Sequence, residues 1–154
     1  MRRSILLSVG VCLLFATMLG CDGYLATKGR VYASAEADSS RIYVDEPFPN
    51  IDGFVRIDSA VVWVFDMPAE QTFDTTRHIT WSERTLSGHC GFFSTGGTTR
   101  PWPFVAAINV QRSGFKSAVR QFHHDSTPAH RVLIALAPLP GTVFPPPPPA
   151  LPCP

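Results

Sequence analysis

Past residue 20, the apolar residues of this 154-residue chain never keep helical spacing for three turns. They come in short runs rich in β-branched and aromatic side chains, cut by Gly, Pro, Ser, Thr and Asp, and such a pattern specifies strands. The spacing predicts strands over 25–33, 41–44, 60–66, 77–85, 91–95, 104–112, 116–122 and 130–137. In PFVAAINVQ, Phe104, Ala106, Ile108 and Val110 alternate with smaller or more polar residues, so one face of that strand is expected to be buried. Val132, Ile134 and Leu136 repeat the pattern near the end of the chain. AVVWVF, Ala60 to Phe65, is apolar on both faces and suits the centre of a sheet. Short strands with turn signals between them predict an all-β fold: an antiparallel β-sandwich of about seven strands that buries alternate residues between two sheets.

The two ends of the chain are different material. Arg2 and Arg3 precede an apolar run from Ile5 to Leu19, the layout of an export signal. That run is shorter than the roughly 20 residues a spanning helix needs. Met18-Leu19-Gly20-Cys21 resembles the lipobox of bacterial lipoproteins, with Met18 where the motif usually has Leu. The resemblance implies that residues 1–20 are removed and that Cys21 is acylated, as a lipid anchor facing the periplasm or the cell exterior. Buried acyl chains, at about 0.8 kcal/mol per methylene, hold a protein on a membrane without a spanning helix. Removing 20 residues from 154 leaves 134, enough for one domain and too few for two. The expected division is signal 1–20, sandwich 21–137 and tail 138–154. Nine of the last seventeen residues are proline, including the run Pro145 to Pro149, so the tail is expected to be an extended polyproline arm.

Charge excludes one class of partner. Without Arg2 and Arg3 the 13 basic side chains become 11, against 12 acidic ones, and no basic stripe survives to meet nucleic acid.

The order of the strand motifs resembles the carboxypeptidase regulatory-like domain, a transthyretin-like sandwich found in bacterial surface and envelope proteins. Lys28-Gly29-Arg30-Val31-Tyr32 matches its opening Gly-x-Val strand, and Ser59-Ala60-Val61-Val62-Trp63-Val64 its second. Ser87-Gly88-His89-Cys90-Gly91-Phe92-Phe93 matches the spacing of its Thr-Asp-x-x-Gly-x-Phe hairpin, with Gly88 in place of Asp. Ile108 to Phe115 and Val132 to Pro138 complete the series. The resemblance covers 26–138 and implies a domain that works by binding or assembly.

Side chains able to carry chemistry are sparse. His89 and Cys90 stand together, but zinc wants about four ligands and no C-x-x-C or H-x-x-x-H pair accompanies them. They are expected on a turn in which Gly91 takes a conformation other residues resist and Phe93 enters the core. Cys90 and Cys153 are the candidates for a disulfide outside the cytoplasm. His123 and His124 are adjacent in a strand and point to opposite faces, and with His130 they are expected to be solvated loop histidines. Trp81, Trp102 and His89 form the candidate binding surface, in which Phe73 and Phe92 are further rings able to stack on a sugar or peptide.

Two enzyme families with similar sandwiches supply a check. Hydroxyisourate hydrolases end in Tyr-Arg-Gly-Ser, absent here, and intradiol dioxygenases hold iron through two tyrosines and two histidines. Here Tyr24, Tyr32 and Tyr43 all precede the first central strand. No Gly-x-Ser-x-Gly elbow, paired-carboxylate motif or phosphate loop is present. The expectation is a membrane-anchored envelope lipoprotein that is not an enzyme and carries no cofactor or metal, its sandwich binding an envelope protein or a glycan. The alternative is a small extracytoplasmic metal-binding protein or hydrolase using His78, His89, Cys90, His123 and His124 on the loops.

Overall fold

The computed structural model describes residues 23–50, 52–67, 81–99, 104–124 and 129–144. Cys21, His78, Trp102, Cys153, the signal, the polyproline run and the side chain of Trp81 lie outside this description. The described residues form nine strands: β1 (Gly23–Ala33), β2 (Arg41–Val44), β3 (Val55–Arg56), β4 (Val61–Met67), β5 (Trp81–Leu86), β6 (Phe92–Thr99), β7 (Phe104–Gln111), β8 (Ala118–His124) and β9 (His130–Leu136). Among the described residues there is no helix long and apolar enough to cross a membrane.

The strands form two sheets, as expected of a sandwich. One runs β2-β9-β1, and the far edge of β1 is shared by β6 and the short β3. The other runs β5-β4-β7-β8. All pairings are antiparallel except one: β1 and β9 run parallel from Thr27↔His130 to Ala33↔Leu136. First and last in the chain, they are joined by most of the domain, so the tight turn that enforces antiparallel pairing is missing.

Alternation decides what lies between the sheets. Leu25 and Val31 of β1, Val62 and Val64 of β4, Ala106, Ile108 and Val110 of β7, and Val132, Ile134 and Leu136 of β9 form one cluster with Phe93. Each large apolar side chain buried there contributes about 1.5–3 kcal/mol. β4 is central, between β5 and β7. Its outer residues Phe65 and Met67 are buried with Ala107, and Trp63 packs against them. β7 departs from the one-faced pattern: it is central too, and Val105, Ala107 and Asn109 are buried on its second face.

The stretch Ser87–Gly91 is a turn, as expected, but not a hairpin. β5 belongs to one sheet and β6 to the other, so this turn carries the chain across the sandwich. The Ser87 hydroxyl accepts from Ala60 N and donates to Ile57 O, both at 2.9 Å. Gly91 has φ 68, and a Cβ there would lie 2.5 Å from Val31 O, which accounts for glycine. Phe93 enters the core, 1% exposed.

Beyond β9, Pro138 bridges to Phe115, Thr142 Oγ1 donates to Gly114 O at 2.5 Å, and the Phe144 ring meets Phe115 edge-on at 5.8 Å. The chain therefore stays on the sandwich as far as Phe144.

Candidate functional site

The outer face of the five-stranded sheet carries a cleft. Alternation along β1 sends Lys28, Arg30 and Tyr32 outward, β9 adds Arg131 and Leu133 beside them, and β6 adds Phe92 opposite Arg30. Gly29 lies beneath: a Cβ there would sit 1.8 Å from Val132 O, so only glycine lets β1 run this close to β9.

The chain leaving β2 folds back to wall this face. It turns at Asp45, φ 54, the left-handed region that aspartate tolerates better than most residues. Asp45 N donates to Arg131 O at 2.9 Å, and Arg131 N donates to Asp45 Oδ1 at 2.8 Å. Phe48 and Pro49 follow, closing a cleft of about 490 Å³. The Arg131 guanidinium lies 5.4 Å from the centre of the Phe48 ring. Phe48 and Phe92 remain 41% and 47% exposed, which marks the cleft as apolar surface left open to a ligand.

A second polar feature sits behind the first. His124 and His130 are buried, with His124 Nδ1 2.6 Å from His130 Nε2. The chain of contacts runs on from His124 Nε2 to Tyr24 O at 3.0 Å and from His130 Nδ1 to Asp45 Oδ2 at 2.5 Å. Asp45 thus holds His130 with one oxygen and the cleft wall with the other.

The expected site residues fall in several places. His89 is exposed at the inter-sheet turn, and His123 is exposed on β8. His124 and His130 are not solvated loop residues: β8 and β9 turn them inward, and each finds ring partners there. His89 and His124 stand near opposite ends of β1, beside Val31 and Tyr24, roughly 23 Å apart at about 3.3 Å per residue. The described histidines therefore do not gather into one centre, and among the described residues no group of three or more His, Cys, Asp or Glu is placed to hold a metal. Nor do the tyrosine hydroxyls join the buried pair, since Tyr32 and Tyr43 pack with Leu133 on the outer face and the Tyr24 side chain is exposed. Among the described residues, two tyrosines and two histidines do not come together as an iron centre would need.

Cys90 is disulfide-bonded, and as the single cysteine among the described residues its partner lies outside them. Trp81 is in β5, away from the sheet that carries the cleft. Of the rings noted in the sequence, Phe92 is the one among the described side chains that lines the cleft; Lys28, Phe48 and Arg131 come from three separate segments and share no sequence motif.

No family model and no curated protein matches the chain. Solved structures do. A 3-chlorocatechol 1,2-dioxygenase of Rhodococcus opacus is similar at TM-score 0.49 and 9% identity, covering 79% of this chain and 62% of its own. A chlorocatechol 1,2-dioxygenase of Pseudomonas putida follows at TM-score 0.46, 11% identity and coverages of 75% and 61%. The shaft pilin SpaA of Lactobacillus rhamnosus GG is similar at TM-score 0.49 and 8% identity, with coverages of 77% and 51%. The chain thus spans about three fifths of either dioxygenase. One expectation is corrected by these likenesses. Two of the similar structures are enzymes by name, so the expectation that this chain is not an enzyme does not stand. The physical reason is that a sandwich is a scaffold, and chemistry resides in the side chains grafted on it.

Proposed function

We propose that this chain is a bacterial envelope lipoprotein, acylated on Cys21, whose transthyretin-like sandwich of the carboxypeptidase regulatory-like kind binds a ligand in the cleft between Phe48 and Phe92. The observation that carries the binding reading is the cleft itself: about 490 Å³, within the range of small-molecule sites, with rings left exposed at its mouth. The anchoring reading is supported by the lipobox-like Met18-Leu19-Gly20-Cys21 and by the nearness of Cys21 to the start of β1 at Gly23.

Binding is tested with N-phenyl-1-naphthylamine, a neutral dye that brightens in apolar surroundings. Saturable binding is expected, and Phe48→Ala together with Phe92→Ser should abolish it while the unfolding midpoint stays within about 0.5 kcal/mol of the parent, as for surface positions. A flat titration, or one indifferent to both changes, removes the cleft from consideration. For the anchor, radioactive palmitate should label the chain, and Cys21→Ser should end labelling and release the protein from membranes. Labelling that survives this change rules the anchor out.

A further inference from the structure

The cleft has a charge character that its domain does not. Outside residues 1–20 the chain has 11 basic and 12 acidic side chains, yet the described residues that line the cleft include Lys28 and Arg131 and no carboxylate. Strand register sharpens this. Lys28 of β1 and Arg131 of β9 are directly opposite each other, and the residue on the other side of Lys28, in β6, is Ser94. Like charges facing each other on neighbouring strands repel. The carboxylates of the segment that walls the cleft are engaged elsewhere: Asp45 Oδ1 accepts from the backbone N of Arg131 and Oδ2 faces His130 Nδ1, and Glu46 pairs with Arg120. Lys28 and Arg131 therefore stand side by side on this face, and among the described residues the cleft lining brings them no acidic partner.

An anion bridging Lys28 and Arg131 converts that repulsion into two charge-assisted contacts. The Arg131 guanidinium lies over the Phe48 ring at 5.4 Å, and its planar fork suits a carboxylate or sulfonate. Neutral sugars are a poorer fit, because their hydroxyls donate as well as accept, and among the described lining residues Tyr32 brings the one side-chain acceptor. From this we infer that the cleft takes a small amphiphilic anion: an apolar or aromatic body of ring size against Phe48, Phe92 and Tyr32, and one carboxylate or sulfonate between Lys28 and Arg131. This rests on the cleft being a binding site, and it names what the site selects.

The experiment compares two dyes with the same apolar body, 8-anilinonaphthalene-1-sulfonate and the neutral N-phenyl-1-naphthylamine, on the full chain carrying Cys21→Ser. The sulfonate is expected to bind about tenfold tighter, the order of one charge-assisted hydrogen bond. Lys28→Gln with Arg131→Gln should erase that preference, bringing the affinity for the sulfonate down to that for the neutral dye. Equal affinity for both dyes, or a preference that survives the double change, overturns the anion while leaving the cleft as a site. Binding of neither dye overturns cleft and anion together. Charge-dependent binding to phosphatidylglycerol vesicles without sulfonate binding would assign the cations to a membrane surface and also overturns the inference.

Discussion

Single side chains hold this fold at places where two elements must be kept together. Ser87 is the clearest: its hydroxyl joins the turn before β4 to the inter-sheet turn through two buried hydrogen bonds. Ser87→Ala leaves Ala60 N and Ile57 O without that partner, and a loss of about 1–3 kcal/mol is expected in denaturant unfolding. The buried histidines are a second such tie: hydrogen-bond contacts run from Tyr24 O of β1 through His124 of β8 and His130 of β9 to Asp45. Neither histidine's burial was legible in the sequence, because HHDSTPAH has the composition of a loop, and only the packing of β8 in one sheet against β9 in the other brings two of its rings together in the interior.

Between elements, the edge of the sandwich is closed by Arg120. From β8 in one sheet it donates to Ile42 O of β2 in the other at 2.8 Å, and it pairs with Glu46 in the segment that walls the cleft. The Arg120 hydrogen bond holds the Glu46 carboxyl below its ordinary value, against a smaller opposing effect of desolvation and with help from the guanidinium charge. A carboxylate held low contributes at pH above the ordinary carboxylate range, and its contribution is lost as pH falls through the lowered value. In Arg120→Gln the Glu46 side-chain resonance should titrate at the ordinary carboxylate pH, and an unmoved midpoint would disprove the tie. Strand identity was largely legible, since alternation is a local property: the observed β2 coincides with the expected 41–44, and β4 and β9 each differ by a residue at their ends. β3, two residues long, carries too little pattern to be seen. β6 runs on through Gly96 and Gly97 because β1 pairs with it along its whole length and the Glu83 carboxylate accepts from Gly96 N at 2.7 Å.

At the scale of the whole molecule, the question is how the ends are fastened. Cys90 lies beside Gly91, whose O accepts from Val31 N, at the far end of β1 from Gly23. Gly23 stands roughly 26 Å of strand from Val31 at about 3.3 Å per residue, and the two residues back to Cys21 reach about 7 Å, which leaves far more than the roughly 7 Å Cα separation that a disulfide tolerates. Phe144, by contrast, packs on Phe115 at the same end as the turn, and the nine residues on to Cys153 reach about 30 Å when extended. With residues 1–20, and Cys12 among them, removed as proposed above, Cys153 is the expected partner. Cys153→Ser should free the Cys90 thiol to alkylation and lower unfolding stability by about 2–4 kcal/mol; a Cys90 that stays blocked would refute the pairing. Composition and alternation determined by themselves that this chain is a β-sandwich with a core of Val, Ile and Phe, because each strand's pattern is readable within a few residues. Only the tertiary structure decided that β1 and β9 lie parallel, that Ser87–Gly91 crosses between sheets, and that Lys28, Phe48, Phe92 and Arg131 share one cleft. Those depend on which strands become neighbours, a choice made by the packing of the whole domain and encoded in no single stretch of it.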